Sequence, residues 1–299
     1  MIQIENVTKR FEGHVALNCV NVSVALGSVY GLVGPNGSGK TTLIKCLCGV
    51  YRTDGGRICI DGETVYDNPQ LKGRISYIPD DLYFPPTYTP RDMATLYQSL
   101  YPSFSWERYR ELSALFELDE KKRIAHFSKG MQKQVAFWVS MSCRPDVVVL
   151  DEPVDGLDPV MRKKVWSVLL QEVEQRQVTV LISSHNLREL EDVCDHVGIL
   201  HRGEVLLQKA LSDMKSDTFK LQIAFENDFP EALRQELTIL NHTQTGRVHM
   251  LILRGTQEEI LSTVEAYEPL LADLIPLTLE EVFIYELGGK GYDFQNILS

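Results

Sequence analysis

Val29-Tyr30-Gly31-Leu32-Val33-Gly34-Pro35-Asn36-Gly37-Ser38-Gly39-Lys40-Thr41-Thr42 runs from an apolar segment, through a glycine-rich turn, into a helix-forming stretch. The first five residues read as a buried strand, and Thr41–Gly49 reads as the helix that follows. Between them the chain satisfies G-x-x-x-x-G-K-[ST]. Glycines in that pattern let backbone N–H groups converge on a β-phosphate, and the positive end of the next helix adds to the attraction. Lys40 then reaches the β- and γ-phosphates, and the Thr41 hydroxyl is a ligand for Mg²⁺. The bland alternative is a chance glycine-rich turn. Strand, loop and helix stand in the order the phosphate cradle requires, which argues against it.

Working outward, Val147-Val148-Val149-Leu150 and Val178-Thr179-Val180-Leu181-Ile182 are apolar strands flanking a helix near Val160–Arg176. Strand–helix–strand alternation predicts an α/β fold, a mainly parallel sheet with helices on its faces. Residues 85–145 read instead as a helical insert, opened by Thr89-Pro90-Arg91-Asp92. After about Leu211 the pattern changes again. Phe219–Phe225 and Val248–Leu253 alternate as strands, with a short helix at Pro230–Leu237 and a brief strand at Thr238–Leu240 between them. Thr256-Gln-Glu-Glu259 and Thr278-Leu-Glu-Glu281 are capping boxes that each open a helix. The order strand-helix-strand-strand-helix-strand predicts a small α+β domain of ferredoxin-like type. The expected division is 1–215, 216–287 and a tail of 288–299.

The strand at Val147 ends in Asp151-Glu152. Asp151 is placed to meet Mg²⁺ through its water shell, and Glu152 to polarise an attacking water as general base. Alone, an acidic pair after a strand is more often a solvated turn or a helix cap. In the same sheet as the phosphate loop it becomes specific.

With these residues in place the chain resembles the ATP-binding-cassette (ABC) ATPases. That resemblance implies a P-loop NTPase core, ATP and Mg²⁺ as cofactors, and a nucleotide held by Gly34, Pro35, Asn36, Gly37, Ser38, Gly39, Lys40, Thr41 and Thr42. The family's serine-glycine signature stands here as Phe127-Ser128-Lys129-Gly130-Met131, followed by Gln132-Lys133-Gln134. It departs from the commoner L-S-G-G-Q but keeps Ser128 and Gly130, a hydroxyl and a bare N–H at a helix start. In the family they meet the γ-phosphate of the opposite subunit; the plain alternative for Ser128 is an N-cap. Gly156-Leu157-Asp158 matches the loop that contacts the partner. Ser183-Ser184-His185 matches the switch histidine, unless His185 caps a helix starting near Asn186. Phe11, followed by Val15-Ala16-Leu17, occupies the adenine-stacking position or is a core phenylalanine. The family usually has glutamine where Asp80 stands, in Ile75-Ser76-Tyr77-Ile78-Pro79-Asp80-Asp81. A carboxylate is a good hard ligand for Mg²⁺, so Asp80 is expected to contact the metal and to couple the site to the helical insert. The adjoining Tyr83-Phe84-Pro85-Pro86-Thr87-Tyr88 is a pad for a membrane partner or a stiff surface loop.

Bulk properties agree. The chain has 299 residues and a net charge of −11, which argues against a general nucleic-acid footprint. No apolar run approaches the ~20 residues that span a bilayer. Its N-terminus begins directly with an alternating segment, so no signal peptide is expected. The six cysteines lie mostly among apolar neighbours and none form C-x-x-C, as in a reducing compartment. The expected protein is a cytoplasmic ATPase, peripheral at the inner face of the membrane. It would work as a homo- or heterodimer of ABC subunits on a separately encoded permease. Leu277-Thr278-Leu279-Glu280-Glu281-Val282-Phe283 looks like the ending of bacterial exporter-type ATPases. The alternative is a non-transport ABC ATPase, a regulatory module or one acting on ribosomes or DNA. A single phosphate loop and the lack of sustained heptads speak against the ribosome and DNA forms.

Overall fold

Alternation of apolar and polar residues in Ile2–Phe11 (β1) and His14–Val24 (β2) buries one face of each and makes an antiparallel pair, turned at Glu12-Gly13. This computed structural model describes residues 1–214, 218–227, 229–275, 277–278 and 280–281. Then follow Val29–Val33 (β3), Lys40–Leu47 (α1), Gly55–Ile60 (β4), Glu63–Thr64 (β5), Pro69–Lys72 (α2) and Ile75–Ile78 (β6). Three insert helices come next: Pro90–Leu100 (α3), Trp106–Phe116 (α4) and Lys129–Ser142 (α5). The chain returns to the sheet as Val147–Asp151 (β7), Pro159–Arg176 (α6), Thr179–Ser184 (β8), Leu187–Glu191 (α7), His196–His201 (β9) and Glu204–Ala210 (β10).

The first compact unit runs from Met1 to Gln208. Its main sheet has the order β10-β9-β3-β8-β7-β6, and the β9–β3, β3–β8, β8–β7 and β7–β6 pairs are parallel. Every residue of β3, β7 and β8 is buried, as a parallel sheet covered on both faces requires. The α/β expectation holds. A second antiparallel sheet, β2-β1-β4-β5, joins the same core. Ile2, Ile4 and Val7 of β1 share a cluster with Leu43, Ile44 and Leu47 of α1 and with Leu32 and Val149 of the parallel sheet. Burying each such side chain contributes about 1.5–3 kcal/mol, so α1 is pinned on two sides.

The insert is helical as expected. Thr89 and Asp92 form a complete capping box with Pro90 in the first turn, and Ser105 caps α4. Trp138 of α5 is fully buried, stacked on Tyr109 at 4.5 Å, and donates from Nε1 to the Tyr109 carbonyl at 2.7 Å.

The second compact unit begins at Lys209. It comprises Leu211–Met214 (α8), Thr218–Ala224 (β11), Glu231–Glu236 (α9), Thr238–Thr245 (β12), Val248–Arg254 (β13), Gln257–Glu265 (α10) and Leu271–Ile275 (β14). Its sheet order is β12-β13-β11-β14, with the β12–β13, β13–β11 and β11–β14 pairs antiparallel, which is the ferredoxin-like arrangement. β12 is longer than the brief strand expected, because its polar half pairs with β13 through to Val248. Both capping boxes form: Thr256 with Glu259, and Thr278 with Glu281. The remainder of the helix expected at Thr278–Leu287, Val282-Phe283 and the 288–299 tail lie outside the described residues. Among the described residues, no helix is long and apolar enough to cross a membrane.

Candidate active site

At the end of β3 the chain curls through Gly37 (φ 79°) and Gly39 (φ 109°) before entering α1 at Lys40. Gly34 has no room for a side chain: a Cβ would strike the Leu200 carbonyl oxygen behind the loop. The Gly203 N–H bonds the Ser38 carbonyl at 2.9 Å and ties the curl to the β9–β10 turn. No side chain caps α1, so its first N–H groups remain for a ligand. Ser38 Oγ is buried without a partner in the same loop. Lys40, 6% exposed, donates to the Gly34 carbonyl at 2.6 Å and the Pro35 carbonyl at 3.2 Å. Burial pulls its ammonium below the usual lysine range, while Glu152 and Asp151 oppose the shift. A cavity of about 370 Å³ opens over this loop, lined by Asn36 to Thr42 with Phe11, His14, Ala16, Asp80 and Glu152.

The acidic end of β7 forms another wall. Asp151 is 2% exposed and accepts a short hydrogen bond from Ser183 Oγ on β8. Glu152 adopts a left-handed backbone, φ 49°, with its N–H held at 3.2 Å by both the carbonyl and the hydroxyl of Ser183. Its Oε1 lies 3.6 Å from Lys40 Nζ, and its Oε2 lies 3.0 Å from His185 Nδ1. Burial holds the Glu152 carboxyl above the usual glutamate range, with Lys40 and His185 pulling the other way. His185 does not cap α7; Asn186 does, accepting from the Arg188 N–H.

Other sequence-selected residues fall in two groups. Phe11 sits at the cavity rim, 39% exposed and edge-on to Tyr51 at 5.4 Å, so it is no core phenylalanine. Asp80 lines the cavity with Oδ1 on Lys133 Nζ at 2.9 Å, which links it to α5 of the insert. Ser128 and Gly130 do not line the cavity of this single chain. Ser128 caps α5 through the Met131 N–H, and a Cβ on Gly130 would stand 3.1 Å from the Gly156 carbonyl. Thr41, Asp80 and Asp151 offer a hydroxyl and carboxylates, the donors of a hard cation. Among the described residues no group of three or more His, Cys, Asp or Glu could cage a metal. Such a sparse oxygen set fits Mg²⁺, which keeps waters and phosphate oxygens in its shell.

Sequence reasoning assigned no role to Lys133, Ser183 or His14. Lys133 stands in the Gln132-Lys133-Gln134 run, but nothing in residue order joins it to Asp80, 53 positions earlier. Ser183 was legible as a neighbour of His185, not as the clamp on Asp151 and Glu152.

Residues 17–155 match the ABC transporter family. Over 291 residues the chain is 32% identical to the ABC transporter ATP-binding protein YtrB of Bacillus subtilis (strain 168), covering 97% of this chain and 99% of that one. It is 30% identical to the Nod factor export ATP-binding protein I of Burkholderia orbicola (strain AU 1054), covering 98% of each. Its fold matches a solved ATP-binding subunit of an ABC transporter with TM-score 0.67 and 27% identity, covering 72% of this chain and 92% of the other. A glycine-rich loop and an Asp-Glu pair at the end of a buried strand, on a chain that aligns over nearly its whole length with such relatives, make this protein a member of the ABC transporter ATP-binding proteins, the ATP-hydrolysing cassettes.

Proposed function

We propose that this chain is the motor subunit of a membrane exporter, closing as a dimer on ATP and driving a separately encoded permease. The observation that carries the reading is Glu152 at the cavity wall, fixed between Lys40 and His185. In this reading the N–H groups of the loop from Gly34 to Thr42 cradle the phosphates, Lys40 leaves its own carbonyls for the γ-phosphate, and Phe11 stacks on adenine. Glu152 accepts the proton of the water that attacks the γ-phosphorus; the bond to the β-phosphate oxygen breaks, leaving ADP and phosphate. His185 orients that water and steadies the γ-phosphate. Thr41, Asp80 and Asp151 would hold Mg²⁺, which would supply charge neutralisation to the phosphates. Ser128 and Gly130 serve the γ-phosphate of a second subunit, in keeping with their absence from this chain's own cavity. The division 1–215 and 216–287 assigns the motor to the first part and an accessory domain to the second. An export role is supported by the Nod factor export relative and by the exporter-like Leu277–Phe283 ending. It implies a position on the cytoplasmic face of the membrane, without nucleic acid as partner.

Glu152→Gln tests the reading. It keeps the shape and loses the base, so hydrolysis should fall by roughly 10²- to 10⁴-fold. Nucleotide binding should persist, and an ATP-bound dimer should accumulate on size-exclusion chromatography with light scattering. Hydrolysis at the parental rate would place the base elsewhere.

A further inference from the structure

We propose that Lys133 is a positioning residue for hydrolysis: its ammonium, anchored by Asp80, holds the main chain of Glu152 and ties it to the insert helix α5. This rests on the reading of Glu152 as the general base.

The Lys133 side chain is only 13% exposed, and its Nζ donates to Asp80 Oδ1 and to the Glu152 carbonyl, each at 2.9 Å. The carbonyl matters because of where Glu152 sits. Its left-handed backbone, φ 49°, is one that a residue with a Cβ keeps only when its surroundings fix it. Ser183 fixes the N–H side of the residue, and Lys133 fixes the carbonyl side. The carboxylate between His185 and Lys40 is therefore aimed by a clamped peptide, not by its side chain alone.

Asp80 gives the clamp its charge logic. Lys133 lies beside a cavity built for phosphates, and a free ammonium there would be drawn toward the nucleotide's negative charge. Paired with Asp80, it is neutralised locally and stays on Glu152. The pairing also keeps the Asp80 carboxylate from standing alone at the mouth of a site that must admit a polyanion. The third connection is mechanical. Lys133 follows Ser128, the N-cap of α5, by five residues, about 7.5 Å along one continuous helix. Displacement of the Ser128 end is thus passed along α5 to the peptide that carries the base.

The test uses the full chain with Lys133→Met, Lys133→Arg, Asp80→Asn and the double variant Asp80→Asn/Lys133→Met. Steady-state ATPase rates and the affinity for a non-hydrolysable ATP analogue are both read. Lys133→Met should lower kcat roughly tenfold, since misplacing a catalytic group by a fraction of an ångström is enough. Analogue affinity should stay within about twofold, because Lys133 does not hold the nucleotide. Lys133→Arg should recover most of the rate. Asp80→Asn should also lower kcat, with the double variant no slower than the worse single one, as members of one unit behave. The proposal is overturned if the affinity of Lys133→Met falls together with its kcat, if Lys133→Arg is as slow as Lys133→Met, or if the two losses multiply. Should Lys133→Met melt below the assay temperature, Lys133→Gln takes its place with the same expected split. A normal rate for these variants beside a stalled Glu152→Gln sinks this inference alone; an active Glu152→Gln sinks the reading beneath it.

Discussion

Lys40 and Glu152 face each other at 3.6 Å; burial pushes each toward its neutral form, and the charge of the other opposes that push. The lysine also donates to two carbonyls of its own loop, Gly34 and Pro35, which satisfy its ammonium. Lys40→Ala removes a charged donor from a buried phosphate site, worth roughly a 10- to 100-fold loss of ATP affinity. Fluorescent-nucleotide titration measures this; near-normal affinity would contradict the assignment of the loop. At this scale the sequence is informative where chemistry depends on short spacing. The loop and Asp151-Glu152 are visible as local patterns, and His185 through the family resemblance. Lys133 is not, because its role arises from contacts with residues 19 and 53 positions away.

Secondary-structure elements were legible where ends carry their own chemistry. The segments opening at Thr89 and Thr256 start helices as expected, each with a complete capping box, whereas the caps Ser105 and Asp158 emerged only in the folded chain. The strands of residues 1–65 show the limit. Their alternation is plain, but their separation into β2-β1-β4-β5, apart from the parallel sheet, is not. Partner choice among strands depends on which faces can be buried together, and that is not a local property. Arg234 of α9 donates from Nη2 to Nδ1 of His242 on β12 at 2.9 Å, and His242 Nε2 donates to Nδ1 of His249 on β13 at 2.8 Å, beside the Phe229 ring. Burial, then His249 and Arg234, hold the His242 pKa below its ordinary 6.5. The folded chain therefore binds this proton less readily than the unfolded one. The contribution to stability is fully present above pH 6.5 and is lost as pH falls through that value toward the lower folded pKa. Amide hydrogen exchange across 238–254, corrected for intrinsic rates, should show less protection at pH 5.5 than at pH 7.5. His242→Gln should flatten that difference, whereas equal protection of the parent protein at both pH values would contradict it.

For the whole molecule, Ser128 and Gly130 stand apart from the cavity lined by Asn36 to Thr42. Expressed in its own cell and extracted with detergent, the tagged chain should be recovered with a multi-span membrane protein; recovery with ribosomes instead would end the transport reading. Residue order by itself determined the phosphate loop, the acidic pair, the helical insert and the strand–helix order of both units, because backbone freedom, capping and burial periodicity act over a few residues. Tertiary structure alone decided that β1 and β2 leave the parallel sheet, that Lys133 and Ser183 clamp Glu152, and that Asp80 pairs with an ammonium. Those outcomes depend on which distant charges and apolar faces are brought within a few ångströms of one another. The link from the site to the insert, expected at Asp80, runs through Lys133 of α5, a residue that only the folded chain brings to it.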